Sequence, residues 1–366
     1  SSLFLEFDNV NIEASIPNGR SRRTQKIKFD LLQNLEINFN GEIDASTLEY
    51  FFEDGTLPLE DQVLKIDIVG FQSQEYMRFL EEIDDLGFSL SSPIPSSDMG
   101  FVFKFMPSVN QIVVEDLYIK DEFGLSDWSL KIDYIGDQLE LFSPSFRYDR
   151  GYNDYFDIVA IDMQGSSKWS YNNWKVNVED EADMTFNKIS SNFRFSVDSF
   201  GEGEGLFDMD EEDFLQNMTL DYSMAIEDFQ LKLSNKIIRE IRYEIPSFPS
   251  LKKRTLYVEN LTAEMKLDEN EFLGSIAAQT TLCSFDGDFD FYFDLDDNRG
   301  PEINKLKLKI DDMLSDEFFE EFLDGLFGRG TFKKVLRRRG ILLIDLSGHL
   351  GEPQLKLKNG RTEPLW

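Results

Sequence analysis

Apolar residues recur at every second position over most of this chain. Leu35, Ile37 and Phe39 alternate with polar neighbours, Leu64, Ile66 and Ile68 do the same, and Leu3, Leu5 and Phe7 open the chain in that style. A period of two places the apolar set on one side of an extended backbone, so these segments are predicted strands. From Phe101 to Phe195 strand follows strand: Val113–Ile119, Trp128–Ile135, Ile158–Met163, Trp174–Val178 and Phe193–Val197. Turn residues separate them at roughly 10-residue spacing, which argues for an antiparallel meander rather than βαβ units. Strands resume over Leu220–Leu233 and Leu256–Leu267, with Pro246 and Pro249 marking a turn between them. Near the end, Leu342, Ile344 and Leu346, then Leu355 and Leu357, alternate on either side of a Gly- and Pro-bearing stretch, Gly348 to Pro353. That pattern predicts a hairpin over Ile341–Lys358.

Two segments change period. Within Ser73–Leu86, Tyr76, Phe79, Leu80 and Ile83 recur at spacings of three and four, Glu75 sits in the first turn and Gly87 follows. Within Ser315–Phe327, Phe318, Phe319, Phe322, Leu323, Leu326 and Phe327 form one stripe behind Ser315, a capping residue, and Asp316 and Glu317. Both read as amphipathic helices. The expected fold is therefore mainly β: a long, curved antiparallel sheet, open and taco-like or a sandwich, with two amphipathic helices. The loop Ser91–Gly100 and the acidic, Gly-rich stretch Gly201–Asp213 are the breaks. They suggest a β-rich half over 1–200 with its helix near 73–86 and a second over 214–366 with its helix near 315–327, or one continuous sheet.

The tetrapeptide LKID occurs at Leu64–Asp67, Leu130–Asp133 and Leu308–Asp311. In a strand it sends Leu and Ile inward, Lys and Asp outward. The first and third copies precede the two helices, the sign of a repeated strand-then-helix unit, although a narrow composition can also repeat four residues.

The sharpest alternation is Phe289, Phe291, Phe293 and Leu295 against Asp288, Asp290, Tyr292, Asp294 and Asp296. Its acids do not make a calcium loop of the EF type, because the place that requires Gly, counted from Asp294, is Arg299. They read as a solvated face. The apolar face must be covered by a second sheet, a helix or a ligand.

Composition sharpens this picture. The chain has 366 residues, 41% hydrophobic, with 34 Phe, enough for a large core built on bulky strand residues. Acids outnumber bases 70 to 37, a net charge of −33, which disfavours nonspecific binding to nucleic acid or to the bulk of an anionic membrane. Two basic islands interrupt the acid. Arg20 to Lys28 reads as a hairpin tip; Arg329, Lys333, Lys334, Arg337, Arg338 and Arg339 are the densest positive stretch. That second cluster either neutralises the preceding acidic helix (Asp316, Glu317, Glu320, Glu321, Asp324) or meets an anionic headgroup or an acidic partner.

Catalytic and cofactor signatures are lacking. One His, His349, and one Cys, Cys283, cannot form a Cys/His zinc site or a nucleophile-base-acid set within one chain, and no phosphate loop, dinucleotide fingerprint or GxSxG is present. His349 reads as a turn residue and Cys283 as a buried small side chain. The expectation is a non-enzyme with no cofactor or metal. No run of about 18 apolar residues offers a transmembrane segment, and no signal peptide is seen. The chain opens directly on strand sequence, which fits a product cut from something longer, so an anchor upstream remains open.

The C-terminal layout resembles a known family. A Lys/Arg-rich turn, the strand ILLIDLSG, then a hairpin built on Gly348, Leu350, Pro353, Leu355 and Leu357 is similar to the end of AsmA-like proteins and of the related type II secretion protein N, and Leu306–Phe327 upstream fits as well. The resemblance implies a periplasmic or intermembrane-space protein with a curved sheet whose apolar face holds lipid acyl chains, usually tethered by an N-terminal membrane helix. This chain lacks that helix and is strongly acidic. An acyl chain in an open groove gains about 0.8 kcal/mol per buried methylene, so about 14 carbons contribute on the order of 10 kcal/mol before entropy is subtracted. Phe289, Phe291, Phe293, Leu295, Leu342, Ile344 and Leu346 are the candidate lipid contacts. The expected function is lipid holding or passage in a cell envelope; the alternative is a structural part of a secretion or envelope assembly that binds a protein partner through a sheet edge or the acidic face.

Overall fold

The structure, a computed structural model, describes residues 2–17, 24–41, 61–83, 88–90, 92–135, 157–178, 181–198, 206, 211–294 and 299–365. Its first part runs β1 (Ser2–Pro17), β2 (Thr24–Asn40), β3 (Gln62–Phe71), α1 (Ser73–Ile83), β4 (Phe88–Leu90), β5 (Ser97–Met106), β6 (Gln111–Lys120) and β7 (Gly124–Ile135). Next come β8 (Asp157–Val178), β9 (Ala182–Asp198), α2 (Glu211–Gln216), β10 (Met218–Leu233), α3 (Asn235–Glu244), β11 (Thr255–Asp268), β12 (Glu271–Thr280) and β13 (Ser284–Tyr292). The chain ends with β14 (Glu302–Asp311), α4 (Asp316–Phe327), α5 (Thr331–Val335), β15 (Leu342–His349), β16 (Glu352–Lys356) and β17 (Thr362–Pro364). The fold is mainly antiparallel β, as the alternation predicts.

Two compact units result: 1–86, 93–166 and 194–218 form the first, and 87–92, 167–193 and 219–366 the second. A division at 1–200 and 214–366 is simpler than this, because β8 and β9 each divide between the units. Most of the Gly201–Asp213 stretch lies outside the described residues.

In the first unit β1, β2, β3, β5, β6 and β7 pair in that order. The register builds apolar rows across the strands. Leu3, Phe39, Leu64, Phe103, Val114 and Leu130 make one, and Leu5, Ile37, Ile66 and Phe101 the next. Helix α1 lies against β2, where the Phe79 ring meets fully buried Phe29 edge-on at 5.3 Å and the Arg78 guanidinium sits 5.1 Å from the Phe29 ring centre. The helix predicted over 73–86 ends at Ile83; residues 84–87 lie outside the described set.

In the second unit β10 to β17 pair in strict chain order. One row reads Tyr222, Met265, Gly274, Phe289, Leu306, Leu346, Leu355, and its neighbour Met224, Ala263, Ile276, Gly287, Leu308, Ile344. The hairpin over Ile341–Lys358 is β15 and β16.

Long strands need relief from uniform pleat, and here Asn or Asp supplies it. Asn9, Asp116 and Asp228 have φ of 54°, 50° and 54°, and the pairing register skips each of them. Short polar side chains tolerate this left-handed conformation, and at Asp116 the register also shifts, a bulge that increases local twist.

Helix α3 is an addition to the two helices that the periodicity predicts. Ser234 caps it by accepting the Ile237 N–H at 3.2 Å, and Ile238 is its buried residue. The stretch 329–339, expected as a turn, contains α5, because Phe332 and Val335 find a core to enter.

Candidate functional site

Among the described residues of the second unit, α4 and α5 cover one part of the apolar side. Helix α4 starts where Ser315 accepts the Phe318 N–H at 3.2 Å, with Asp316 and Glu317 in its first turn. The Asp324 carboxylate then accepts the N–H groups of Gly330 and Phe332, at 2.8 and 3.0 Å, and so fixes the start of α5. The two helices bring Phe318, Phe319, Leu323, Phe332 and Val335 down onto Ile303, Ile310, Leu342, Ile344, Leu346 and Leu355, a single buried cluster. The turn after α3 is fastened beside it: Ile245 and Phe248 pack on the cluster, and Glu321 accepts hydrogen bonds from the backbone and hydroxyl of Ser247.

Leu342, Ile344 and Leu346 are therefore core. They are 0%, 5% and 8% exposed, and the lipid contact expected of them is corrected: the α4–α5 segment folds back over their strand. The stripe on α4 is only partly absorbed, since Phe322 and Leu326 remain 40% and 58% exposed.

Phe289, Phe291 and Phe293 are placed differently. All three are half-buried, the first two on β13 and Phe293 just beyond its end; Leu295 lies outside the described residues. Phe272 on β12 joins them, with ring centres 5.2 Å from Phe289 and 6.5 Å from both Phe291 and Phe293. Phe291 touches the edge of the helix-covered cluster. Phe289 does not belong to it, and neither do Tyr222, Met224, Met265, Phe272 and Ile276, all half-buried on the same apolar rows. Of this part of the apolar face, over β10 to β13, the sequence singles out the Phe residues of β13 and not those of β10 to β12.

The opposite face is ionic, as expected. Lys65–Asp67, Lys131–Asp133 and Lys309–Asp311 pair two residues apart in the three LKID copies, at 2.7, 2.9 and 2.5 Å, while the Leu and Ile of each copy join the apolar rows. The carboxylate hydrogen bond holds the Lys65 and Lys309 ammonium pKa values above the ordinary lysine value. A cavity of about 450 Å³ opens among Asp221, Lys266, Leu273, Asp288, Asp290 and Lys305; by register Asp221, Lys266, Leu273, Asp290 and Lys305 form one row, so it lies on the ionic side.

The basic stretch divides. Lys333 pairs with Glu320 of α4 at 2.8 Å and Lys334 pairs with Glu363, so part of the positive charge neutralises acids of the same chain. Arg329 and Arg339 are exposed; Arg338 falls in a single helical turn with Arg339 and Gly340. Arg337 is half-buried and faces a cavity of about 600 Å³ that it shares with Lys333, Leu336 and Lys358. Of the other island, Lys26 pairs with Glu13 at 2.5 Å and Lys28 with Asp30 at 3.4 Å, while residues 18–23 lie outside the described set. Cys283 is buried in the core, which raises its thiol pKa, and the His349 ring is 3.3 Å from the Gly300 carbonyl oxygen.

Comparisons with protein-family models, with curated proteins and with solved structures find no match for this chain.

Proposed function

We propose that this protein is a non-enzymatic component of a cell envelope, working in a periplasmic or intermembrane space, that holds or passes lipid along the apolar face of its sheet. One observation carries the reading: Met224 and Ile276, Phe289, and Phe272 lie on three adjacent apolar rows, incompletely buried and outside the cluster that the helices cover. Contiguous apolar surface that is left incompletely covered is a candidate interaction site. A row of side chains running across several strands suits a long flexible hydrocarbon better than a compact ligand. The first unit supports the same reading, since Leu64, Ile66, Phe101 and Phe103 stand on rows of equal character and are likewise incompletely buried. The likeness of the C-terminal segment to AsmA-like proteins and type II secretion protein N also supports it. Organic extracts of the purified protein, read by mass spectrometry, are expected to contain lipid in amounts near stoichiometric; extracts with none above the buffer control would overturn the proposal.

A second reading, a structural part of a secretion or envelope assembly, is favoured by β1. This strand pairs with β2 and leaves Leu3, Phe4, Leu5 and Phe7 exposed, an apolar surface suited to a protein partner.

A further inference from the structure

We propose that the cavity bounded by Lys333, Leu336, Arg337 and Lys358 is a binding site for a phosphate-type oxyanion, carried either by a lipid headgroup or by a free phosphate compound. The decisive atom is Arg337 Nη1. It is closed to solvent and has no hydrogen-bond partner, while the part of the Arg337 side chain that stays accessible lines the cavity. Native proteins rarely leave a buried donor unmet, least of all one that carries charge, and an unbound ion or ligand is a regular explanation. This protein has acids to spare at a net charge of −33, and the neighbouring cations use them: Lys333 takes Glu320 and Lys334 takes Glu363. Arg337 takes none among the described residues. Lys358 is likewise without a carboxylate there, its ammonium lying 3.5 Å from the Lys333 carbonyl oxygen.

The backbone explains how the two cations meet. Arg337 is held by its own N–H, which donates to the Ile341 carbonyl at 2.6 Å, and by the bridge between Leu336 and Leu342. Lys358 arrives from the far end of the β15–β16 hairpin, where Leu357 donates to the Arg361 carbonyl at 2.7 Å and packs on the core cluster. Two like charges are thus set around one space by elements anchored in the core. An oxyanion would relieve their repulsion, taking the accessible edge of the guanidinium on one side and the ammonium as a point charge on the other. At about 600 Å³ the space lies within the ordinary range for small-ligand sites and exceeds what a bare ion needs, while Leu336 gives it one apolar wall. The site does not depend on the acyl reading above, because inorganic phosphate has no acyl chain.

The test uses the full chain. Inorganic phosphate is titrated by calorimetry at low and moderate salt, and cosedimentation is measured with phosphatidylcholine vesicles lacking or containing phosphatidylglycerol. The variants are Arg337→Gln with Lys358→Gln, and Lys334→Gln as a control whose partner is Glu363. Saturable, salt-sensitive binding of either probe is expected, weakened roughly tenfold or more in the double variant and unchanged in the control. Phosphate binding alone assigns the site to a free phosphate compound; vesicle binding that requires phosphatidylglycerol assigns it to a headgroup. If the double variant does not fold, Lys358→Gln and Arg337→Lys are read singly, and each is expected to weaken binding with the melting temperature kept. Failure of the wild type to bind both probes, or undiminished binding in the folded variants, overturns the proposal.

Discussion

Phe289 lies across Gly274 of the neighbouring strand: a Cβ on Gly274 would stand 2.2 Å from Phe289 Cζ and 2.6 Å from the Glu264 carbonyl oxygen. The ring occupies the space that any side chain at 274 would need, so an aromatic surface continues over a residue that contributes none. The ring can turn away, but the carbonyl belongs to a paired strand. Gly274→Ala is therefore expected to destabilise the second unit by about 1–3 kcal/mol, read as a lower urea midpoint with an unchanged slope.

The covered and open parts of the apolar face should respond differently to one charge. Ile344→Asp places a carboxylate beneath α4 and α5 with no partner and is expected to cost about 3 kcal/mol or more. Met224→Asp lets its carboxylate reach water from a half-buried position that no helix covers and is expected to cost about 1 kcal/mol or less. Thermal melting of the two variants checks the contrast; equal losses would place Met224 in a closed core.

The α4–α5 cover depends on two side-chain acceptors. Ser315→Ala removes the cap from the Phe318 N–H and should cost about 1 kcal/mol. Asp324→Ala leaves the Gly330 and Phe332 N–H groups without their acceptor and should cost more, about 1–3 kcal/mol. Chemical denaturation of both variants gives the order, and hydrogen exchange at Phe332 should accelerate in the second.

Tyr257 supplies a pH signature. Its hydroxyl donates to the Asp228 carboxylate, and that hydrogen bond first, then burial, pushes the phenol pKa up to about 12. The folded state thus holds this proton more tightly than the unfolded chain, whose phenol titrates near its ordinary value of about 10. The contribution of the pair is present in full below pH about 10 and is lost as pH rises through about 12. The difference in tyrosinate absorbance between wild type and Tyr257→Phe is expected to titrate near pH 12; a midpoint near 10 would contradict the hydrogen bond.

What the sequence tells of this fold follows from what alternation can encode. Leu35, Ile37 and Phe39 or Leu64 and Ile66 announce which side of a strand is apolar, and the three LKID copies announce the ionic side as well. Alternation is silent on what lies over that side. Ile344 and Phe289 have the same kind of pattern, yet one is under two helices and the other is half-exposed, a difference set by where α4 folds back. Helix α3 was hidden because Ile237, Ile238 and Ile241 sit among charges in a segment short enough to pass for a strand end and a turn. Arg337 was legible as part of a basic run. Its neighbour Lys358 was not, because only the return of the β15–β16 hairpin brings the two to one cavity.

The central claim is that the open apolar rows over β10 to β13 contact acyl chains. Site-specific photocrosslinking tests it most directly, with a photoreactive residue placed singly at Met224 and Ile276 on the open rows, at Ile344 under the helices and at Lys307 on the ionic face. Irradiation in cells followed by mass spectrometry of the protein should give lipid adducts at 224 and 276 and none at 344 or 307. Adducts at 307 in place of 224 and 276, or none at any position, would contradict the account.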